Sequence, residues 1–508
     1  MDPIEFLPEA IVLAAALSVF LADVLGVRRL EVFGGIALGA GGLALALVLG
    51  DLEAPGFSIL ATLPPGQIDL PLGPSVFAFS SLGLVFQAIF LLSAIFVSMA
   101  SLSRPTREGG AAVFFGLLLL ATLGMMLVAI ASDLIFLLLA IELASISTYL
   151  MVGYSRKDPR SLEAAMKFYI IGALSAALSF FGASLLFGAY GATSLYALGP
   201  AASPIGYPTL ALVGYALLVA GLGFKVTAVP FHAWAVDVYD GAPTDVSAFL
   251  SGGTKKMGIF AFFLVFLAPV LLLQHTPALA PAGFANSLEL TLGLVAVVTM
   301  TVGNLLALLQ REMKRMLAYS SISQAGYMLI GVAVGTAPAI GGATFQVLAH
   351  AFMKTGAFLV VAAVSAYGIG PLIEDWRGLG RNCPYLSLAF ALMLLSLAGV
   401  PLTVGFVSKF VLFSSAVQAE GPFVWLAVAG LLNSALSVFY YARVLKVLYL
   451  EPGRAGDPAG GARAGPIGLG RSTAILLITV GIVALGIYPG PVLAGIQTAA
   501  THFAAIGA

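Results

Sequence analysis

Long runs of apolar residues, separated by short polar segments, repeat along almost the whole chain. Most runs contain the roughly 20 residues that an α-helix needs to cross the hydrocarbon core of a bilayer. The pattern therefore predicts an all-α polytopic membrane protein with about fourteen transmembrane helices. The predicted spans are 6–25, 33–50, 77–101, 111–131, 134–154, 164–190, 207–239, 246–270, 288–309, 316–336, 339–368, 385–418, 422–449 and 472–494.

The positions of lysine and arginine between these runs support the count. Basic residues follow spans 1, 3, 5, 9, 11 and 13, whereas the loops after spans 2, 4, 6, 8, 10 and 12 contain none. Because basic loops remain in the cytoplasm, we expect them inside and both termini outside, in a prokaryotic cell membrane. The basic residues are Arg28, Arg29, Arg104, Arg107, Arg156, Lys157, Arg160, Arg311, Lys314, Arg315, Arg377, Arg381, Arg443, Lys446, Arg454, Arg463 and Arg471.

The composition agrees with a membrane protein and excludes several other classes. Hydrophobic residues make up 60% of the 508 residues and charged residues only 9%, against about 25% charged residues in soluble domains. The net charge is zero, so a nucleic-acid partner is not expected. The single Cys383 cannot form an internal disulfide, and the four histidines have no metal-ligand spacing. No cofactor or metal site is therefore expected in this chain, and its acidic start without basic residues predicts no cleavable signal peptide.

Spans 7 and 12 differ from the others because they are longer and are interrupted by glycine and proline. Breaks at membrane depth are tolerated only where protein or a wet cavity satisfies the freed backbone groups. Paired broken helices are typical of transporter sites, although two unrelated proline kinks are the simpler alternative. The interrupting residues are Gly221, Gly223 and Pro230 in span 7, and Gly399, Pro401 and Gly405 in span 12.

The two broken spans are five spans apart, which suggests an internal repeat. A five-span unit has odd parity, so its second copy crosses the membrane in the opposite sense. We therefore predict two inverted five-helix repeats, spans 4–8 and spans 9–13. The predicted divisions are 1–110 (helices 1–3), 111–270 (first repeat), 288–450 (second repeat) and 472–508 (helix 14 and a tail).

Six charged residues fall in the middle of predicted spans, where a charge is unfavourable and usually functional. Only one of them is acidic, and we expect it to be the only deep carboxylate, so fixed ion pairs cannot neutralise every lysine. Because burial disfavours the charged form of a lysine, some of these lysines are expected to be neutral part of the time and to carry protons. The six residues are Glu142, Lys225, Lys255, Lys256, Lys354 and Lys409.

Simpler explanations remain open for several of these positions. Glu142 and Lys225 could form a structural ion pair that holds two helices together. Lys354 could be buried by packing and bonded to carbonyls of a broken helix. Lys256 is better explained by snorkelling or by pairing with a neighbour than by a relay role.

The histidines and loop aspartates are weaker candidates. His232 follows Pro230 and fits a hydrogen-bonding residue at a helix end, and His350 is a minor relay candidate. Three aspartates near a predicted cytoplasmic loop are explained by a solvated face or a helix cap. They are Asp237, Asp240 and Asp245.

Several segments resemble the antiporter-like subunits of respiratory complex I. These segments are KVTAVPFHAWAVDVYDGAPTDVSAFLSGGTKK, REMKRMLAYSSISQAGYMLIG and SLAGVPLTVGFVSKF. Within that family, FLPEAIV at the start and MKFYIIGALSAALSFFGASLLFG at span 6 are similar to subunit N of NADH-quinone oxidoreductase. The resemblance covers nearly the whole chain, and it implies the same fourteen-helix fold with inverted repeats.

The resemblance also implies roles for individual residues. Glu142 matches the span-5 glutamate, Lys225 the lysine that pairs with it, Lys255 the central span-8 lysine and Lys409 the span-12 lysine near the exit. Protons would enter from the cytoplasm at Lys225 and Glu142, pass to Lys255 and leave at Lys409. His232, Lys256, His350 and Lys354 are secondary candidates for the same relay.

The implied assembly is a proton-translocating oxidoreductase with other membrane subunits, including further antiporter-like subunits. Quinone, flavin and iron–sulfur clusters would lie in partner subunits, and none in this chain. The segment HAFMK in span 11 departs from most bacterial N subunits, which leaves NADH, a reduced deazaflavin such as F(420)H(2), or ferredoxin open as electron donor. The alternatives are an Mrp-type cation/proton antiporter subunit and a non-pumping scaffold subunit.

Overall fold

The computed structural model describes most of the chain. The described residues are 3–53, 76–103, 110–195, 197–198, 208–267, 284–419, 421–453 and 467–506. Most of the long predicted loops lie outside these residues, as do the predicted cytoplasmic charges Arg104, Arg107, Arg454 and Arg463.

The described residues confirm the prediction of an all-α membrane fold. Thirteen helices in this part of the chain are long and apolar enough to cross a membrane, and β-pairing is limited there to isolated bridges. The helices are α1 (Leu7–Val24), α2 (Leu30–Glu53), α3 (Ser81–Ser101), α4 (Ala111–Ala129), α5 (Leu134–Val152), α6 (Pro159–Tyr190), α7 (Pro208–Val226), α8 (Ala233–Gly241), α9 (Thr244–Leu267), α10 (Phe284–Leu309), α11 (Met313–Val334), α12 (Ala337–Ala366), α13 (Pro384–Ala398), α14 (Val404–Gln418), α15 (Val424–Tyr449), α16 (Leu469–Ile487) and α17 (Gly490–Ile506).

Aspartates at the starts and glycines at the ends of helices explain where several spans begin and end. The Asp133 carboxylate accepts hydrogen bonds from two backbone N–H groups in the first turn of α5. The Asp158 carboxylate accepts one, from the Arg160 N–H group in the first turn of α6. These bonds satisfy donors that have no partner within the helix. At the other end, Gly191 and Gly335 terminate α6 and α11 with φ of 71°, a conformation that glycine adopts without steric cost.

Three helices that carry many polar side chains lie at the centre of the bundle. Nearly all residues of α9, α11 and α12 are buried, whereas only about a third of those in α1, α6 and α16 are. Helix α12 packs against α11, α13, α14, α16, α17 and α9. Because lipid cannot hydrogen-bond to polar side chains, these helices place their polar groups against one another inside the protein.

Spans 7 and 12 are broken, as the sequence predicts. Span 7 is divided into α7 and α8, and span 12 into α13 and α14. Each break contains a non-glycine residue with positive φ, Thr227 at 67° and Leu402 at 68°. This similarity supports the prediction of two related units, whose inverted orientation and exact divisions remain predictions.

The structure differs from the sequence prediction at the C-terminus. The predicted span 472–494 is the helix α16, which ends at Ile487. The predicted tail contains a further helix, α17. Helix α17 packs on α3 and α12 and buries Ile496, Ala499 and Ala500. Tyr488 and Pro489 therefore interrupt the predicted span and join two helices.

Replacing Gly405 with alanine is expected to destabilise the break in span 12 by about 1–3 kcal/mol, the usual range for overpacking a close contact. A methyl group at Gly405 would overlap the backbone carbonyl of Ser396. A lower melting temperature of the purified protein checks this prediction. The matched control is Gly39→Ala in α2, where nothing lies within 4 Å of the added group, and it should melt no lower than the parent. Equal melting of the two variants would contradict the prediction.

Candidate functional site

Glu142 and Lys225 form an ion pair near the edge of the bundle. Lys225 Nζ lies 3.2 Å from Glu142 Oε1, and it donates hydrogen bonds to Ser145 Oγ at 2.7 Å and to Tyr149 OH at 3.1 Å. Ser145 and Tyr149 follow Glu142 by three and seven residues, so one face of α5 supplies all three oxygens. The side chain of Glu142 is 20% exposed and that of Lys225 is 8% exposed. The predicted pairing of these two residues is therefore present in the structure.

Lys255 occupies an irregular part of α9. Leu250–Thr254 form a π-helical turn directly before it, and such turns often occur at functional sites. Lys255 Nζ donates a hydrogen bond to Ser321 Oγ at 3.1 Å and lies 5.5 Å from the centre of the Tyr239 ring. Both of these groups are neutral, so the lysine has polar contacts without a carboxylate among them.

Lys256 points to a different helix from Lys255. Its Nζ lies 2.6 Å from His350 Nδ1 on α12, and it also donates a hydrogen bond to the carbonyl of Ser251. Lys256 is fully buried, so it does not snorkel to an interface, and of the two sequence explanations the pairing with a neighbour is the one present.

Lys354 lies on α12 and bonds to α11. Its Nζ donates hydrogen bonds to the carbonyl of Leu317 at 2.8 Å and to Ser320 Oγ at 2.7 Å. The Ser320 hydroxyl is in turn hydrogen-bonded to that of Tyr441 on α15. The carbonyl belongs to a continuous helix, so the alternative in which Lys354 bonds to a broken helix is wrong.

Lys409 lies beyond the break in span 12 and bonds to the end of α13. Its Nζ donates hydrogen bonds to the carbonyls of Leu397 at 2.8 Å and Ala398 at 3.2 Å, and to Ser434 Oγ at 2.9 Å. Carbonyls at the C-terminal end of a helix have no partner within the helix and attract a cation. The break thus creates the binding position of this lysine.

Side-chain amides connect α12 with the lysine on α14. Gln346, one turn before His350, donates a hydrogen bond to Gln324 Oε1 at 2.7 Å. Gln324 donates in turn to the carbonyl of Leu397 at 3.3 Å, and the same carbonyl accepts from Lys409. These hydrogen bonds link Gln346 on α12 to Lys409 on α14 and form a central polar series, whereas no described residue hydrogen-bonds to His350 Nε2.

His232 lies at the break in span 7, immediately before α8. It makes no side-chain hydrogen bond that caps this helix, and no described residue hydrogen-bonds to its buried Nδ1. The ring is close enough to Lys255 for the two groups to interact electrostatically. The ring also hydrogen-bonds to the backbone at Pro230. The helix-end role expected from the sequence therefore agrees with the structure, and the relay role stays a prediction.

The structure buries two further carboxylates, which the sequence pattern does not place at mid-span. Glu9 in the first turn of α1 and Asp245 in the first turn of α9 are 4% and 2% exposed. Both lie in first helical turns, so Glu142 remains the only carboxylate predicted at mid-span, but it is not the only carboxylate shielded from solvent. Asp245 pairs with Arg471, whose Nη2 lies 3.2 Å from its Oδ2, so neither residue belongs to a solvated loop.

The other two aspartates of this region are also paired, at partly exposed positions. Asp237 accepts hydrogen bonds from Lys167 at 2.8 Å and from Arg315 at 3.2 Å. The carboxylate of Asp240 lies 3.9 Å from Arg315 Nη1, and Lys314 donates to the Asp240 carbonyl. These contacts join α6, α8 and α11, which a solvated helix face would not do.

Comparison with known proteins places this geometry in a family. Residues 131–437 match the family described as NADH:quinone oxidoreductase/Mrp antiporter, transmembrane. The chain is 39% identical over 505 residues to F(420)H(2) dehydrogenase subunit N of Methanosarcina mazei, covering 97% of both chains. It is 42% identical over 374 residues to NADH-quinone oxidoreductase subunit N of Trichlorobacter lovleyi, covering 72% of this chain and 74% of the relative.

A solved structure agrees with both relatives. A chain of respiratory complex I from Thermus thermophilus superposes with a TM-score of 0.76 at 30% identity, covering 96% of this chain and 99% of that one. The resemblance predicted from the motifs is thus confirmed over nearly the full length. The chain belongs to the NADH:quinone oxidoreductase/Mrp antiporter family of multi-pass membrane proteins.

Proposed function

We propose that the chain is a proton-translocating membrane subunit of a complex I-like oxidoreductase, in which Glu142, Lys225, Lys255 and Lys409 relay the protons. The observation that carries this proposal is the nature of the lysine contacts. Lys225 has a carboxylate partner, whereas Lys255 and Lys409 bond to hydroxyl and carbonyl oxygens. A buried lysine whose partners are neutral gives up its proton more readily than one in a fixed ion pair.

Protons would follow the order of these residues through the bundle. They would enter from the cytoplasm at Lys225 and Glu142, move by way of Lys255 and the central polar series, and leave at Lys409. His232, Lys256, His350 and Lys354 would be secondary members of the relay. This direction of transport, from the cytoplasm to the outside, assumes that the basic loops are cytoplasmic and that both termini are outside.

The energy for transport would come from partner subunits. Moving one charge against 100 mV requires about 2.3 kcal/mol, and the described residues contain no cluster suited to a metal ion. We propose that flavin, iron–sulfur clusters and quinone act in other subunits, with NADH or F(420)H(2) as donors suggested by the names of the relatives. A change of charge at one site would shift the proton equilibrium of the next.

Replacing Glu142 tests the proposal. Glu142→Ala is expected to reduce proton pumping by at least about tenfold, because an opposite charge within about 4–6 Å strongly stabilises the protonated lysine. Glu142→Asp keeps the charge and should be milder. Pumping is measured as the pH gradient formed by the assembled complex in proteoliposomes, with electron transfer recorded in parallel.

The control is the exposed Glu163→Ala in α6, whose partner Lys167 is also partly exposed; it should pump normally. Unchanged pumping by Glu142→Ala would argue against the relay. Pumping that survives removal of every buried lysine would identify a scaffold subunit. Transport that requires Na⁺ would identify an Mrp-type antiporter, and co-purified electron-input subunits would identify the donor.

A further inference from the structure

A second buried polar cluster lies outside the series of lysines, between Glu9 and Gln87. Glu9 belongs to the first turn of α1 and Gln87 to α3, and the two residues are 4% and 1% exposed. Gln87 Nε2 donates a hydrogen bond to Glu9 Oε1 at 2.6 Å and a longer one to the carbonyl of Met126 at 3.4 Å. The relay proposed above does not use any of these groups.

Two oxygen atoms of this cluster have no hydrogen-bond donor. Both hydrogens of the Gln87 amide are used by Glu9 Oε1 and the Met126 carbonyl. Glu9 Oε2 and Gln87 Oε1 are buried, and no described residue donates to either of them. A buried polar atom without a partner is destabilising by about 1–3 kcal/mol, and by more if it carries charge. The opposite orientation of the Gln87 amide group would not supply the missing donor, because its oxygen would then face the Glu9 carboxylate oxygen Oε1.

We propose that Glu9 and Gln87 form a proton-binding site in which Glu9 is a neutral carboxylic acid that donates its proton to the Gln87 amide oxygen. A carboxylic acid and a primary amide are complementary, because each offers one donor and one acceptor. The Gln87 N–H group then donates to one Glu9 oxygen, and the other Glu9 oxygen donates to the Gln87 oxygen. One proton thus gives both orphaned atoms a partner.

The charges around the site agree with a neutral acid. Helix α1 packs on α2, α4 and the turn at Pro3–Phe6. The titratable groups of these elements that lie toward this end are Asp51 on α2 and Glu5 in the turn, and Asp51 acts on Glu9 electrostatically. Helices α3 and α4 contain no ionisable side chain of Lys, Arg, His, Asp or Glu. A neighbouring carboxylate disfavours the charged form of Glu9.

The helix dipole acts in the opposite direction but is weaker. The N-terminus of α1 stabilises a carboxylate in its first turn by about 0.3–1 kcal/mol. The effective penalty for burying an ion is several kcal/mol. It outweighs the dipole together with the two donors that a charged Glu9 has, its own backbone N–H group and the Gln87 amide. The balance therefore favours the protonated acid.

Infrared difference spectroscopy of the assembled complex at pH 7 tests the site. The parent should show a carboxylic acid C=O band that shifts in D₂O and is absent from Glu9→Gln. Glutamine mimics the protonated acid, because its NH₂ group donates where the acid O–H group does. We therefore expect Glu9→Gln to assemble and to melt at the parent temperature. The control Glu31→Gln, at an exposed position on α2, should leave the band in place.

Three results would overturn the proposal. Loss of carboxylate bands instead of the acid band in Glu9→Gln would identify a charged first-turn acid. A carboxylate band that responds when NaCl replaces choline chloride would identify a cation site. Failure of Glu9→Gln to assemble would show that the neutral form is not the native one. Because proton pumping is not the readout, the outcome is independent of the proposed relay.

Discussion

Replacing Lys225 with arginine is expected to stop proton pumping as completely as replacing it with alanine, although arginine keeps the positive charge. Arginine remains protonated in proteins, so it can pair with Glu142 but cannot release a proton. A positioned proton-transfer group contributes about 100-fold to 10,000-fold in rate. We therefore expect both variants to lose pumping by about 100-fold or more. The pH gradient formed by the assembled complex in proteoliposomes measures the effect.

This pair of variants separates a relay from a structural ion pair. If Lys225 only holds α7 against α5 through Glu142, Lys225→Arg should pump almost normally, and the relay proposal fails at this residue. The control is Lys157→Arg, at an exposed position after α5, which should pump like the parent. A parallel size-exclusion profile shows whether each variant is still assembled.

The sequence predicts the spans well because their signal is local. Apolar length identifies each crossing, and glycine and proline identify the breaks between α7 and α8 and between α13 and α14. The Glu142 face of α5 is also predictable, since residues three and seven positions later must lie on the same side of a helix. The structure adds the hydrogen bonds from Lys225 to Ser145 and Tyr149 on this face.

Features that depend on distant parts of the chain were not predictable. The contact of Lys256 with His350 joins residues 94 positions apart, and no local pattern indicates it. The π-helical turn before Lys255 has no signal beyond two glycines in SGGTKK. Burial is the hardest property to infer, because Glu9 looks like an ordinary acid in a first helical turn.

Asp245 and Arg471 illustrate the same limit. They are 226 positions apart, and the sequence pattern predicts loop or cap positions on the cytoplasmic side for both. In the structure they join the start of α9, which carries Lys255, to the start of α16. Their side chains are 3% and 8% exposed. An ion pair between such distant residues can be identified only from the packing of the helices and not from the sequence.

Replacing Asp245 with alanine is therefore expected to destabilise the protein by about 3–5 kcal/mol, because Arg471 would become an unpaired buried charge. Arginine cannot relieve this by losing its proton. A large fall in the melting temperature of the purified protein measures the effect. The control is Asp23→Ala, whose partner Arg28 is 72% exposed; loss of a surface pair should change stability by about 1 kcal/mol or less.

The double variant Asp245→Leu with Arg471→Met identifies the origin of the effect. Replacing a buried ion pair by apolar residues of similar volume is often neutral or stabilising, so the double variant should melt near the parent temperature. If it melts as low as Asp245→Ala, the loss comes from the shape of the contact and not from an unpaired charge. If Asp245→Ala itself melts like the parent, water reaches Arg471, and α9 and α16 are joined by apolar packing alone.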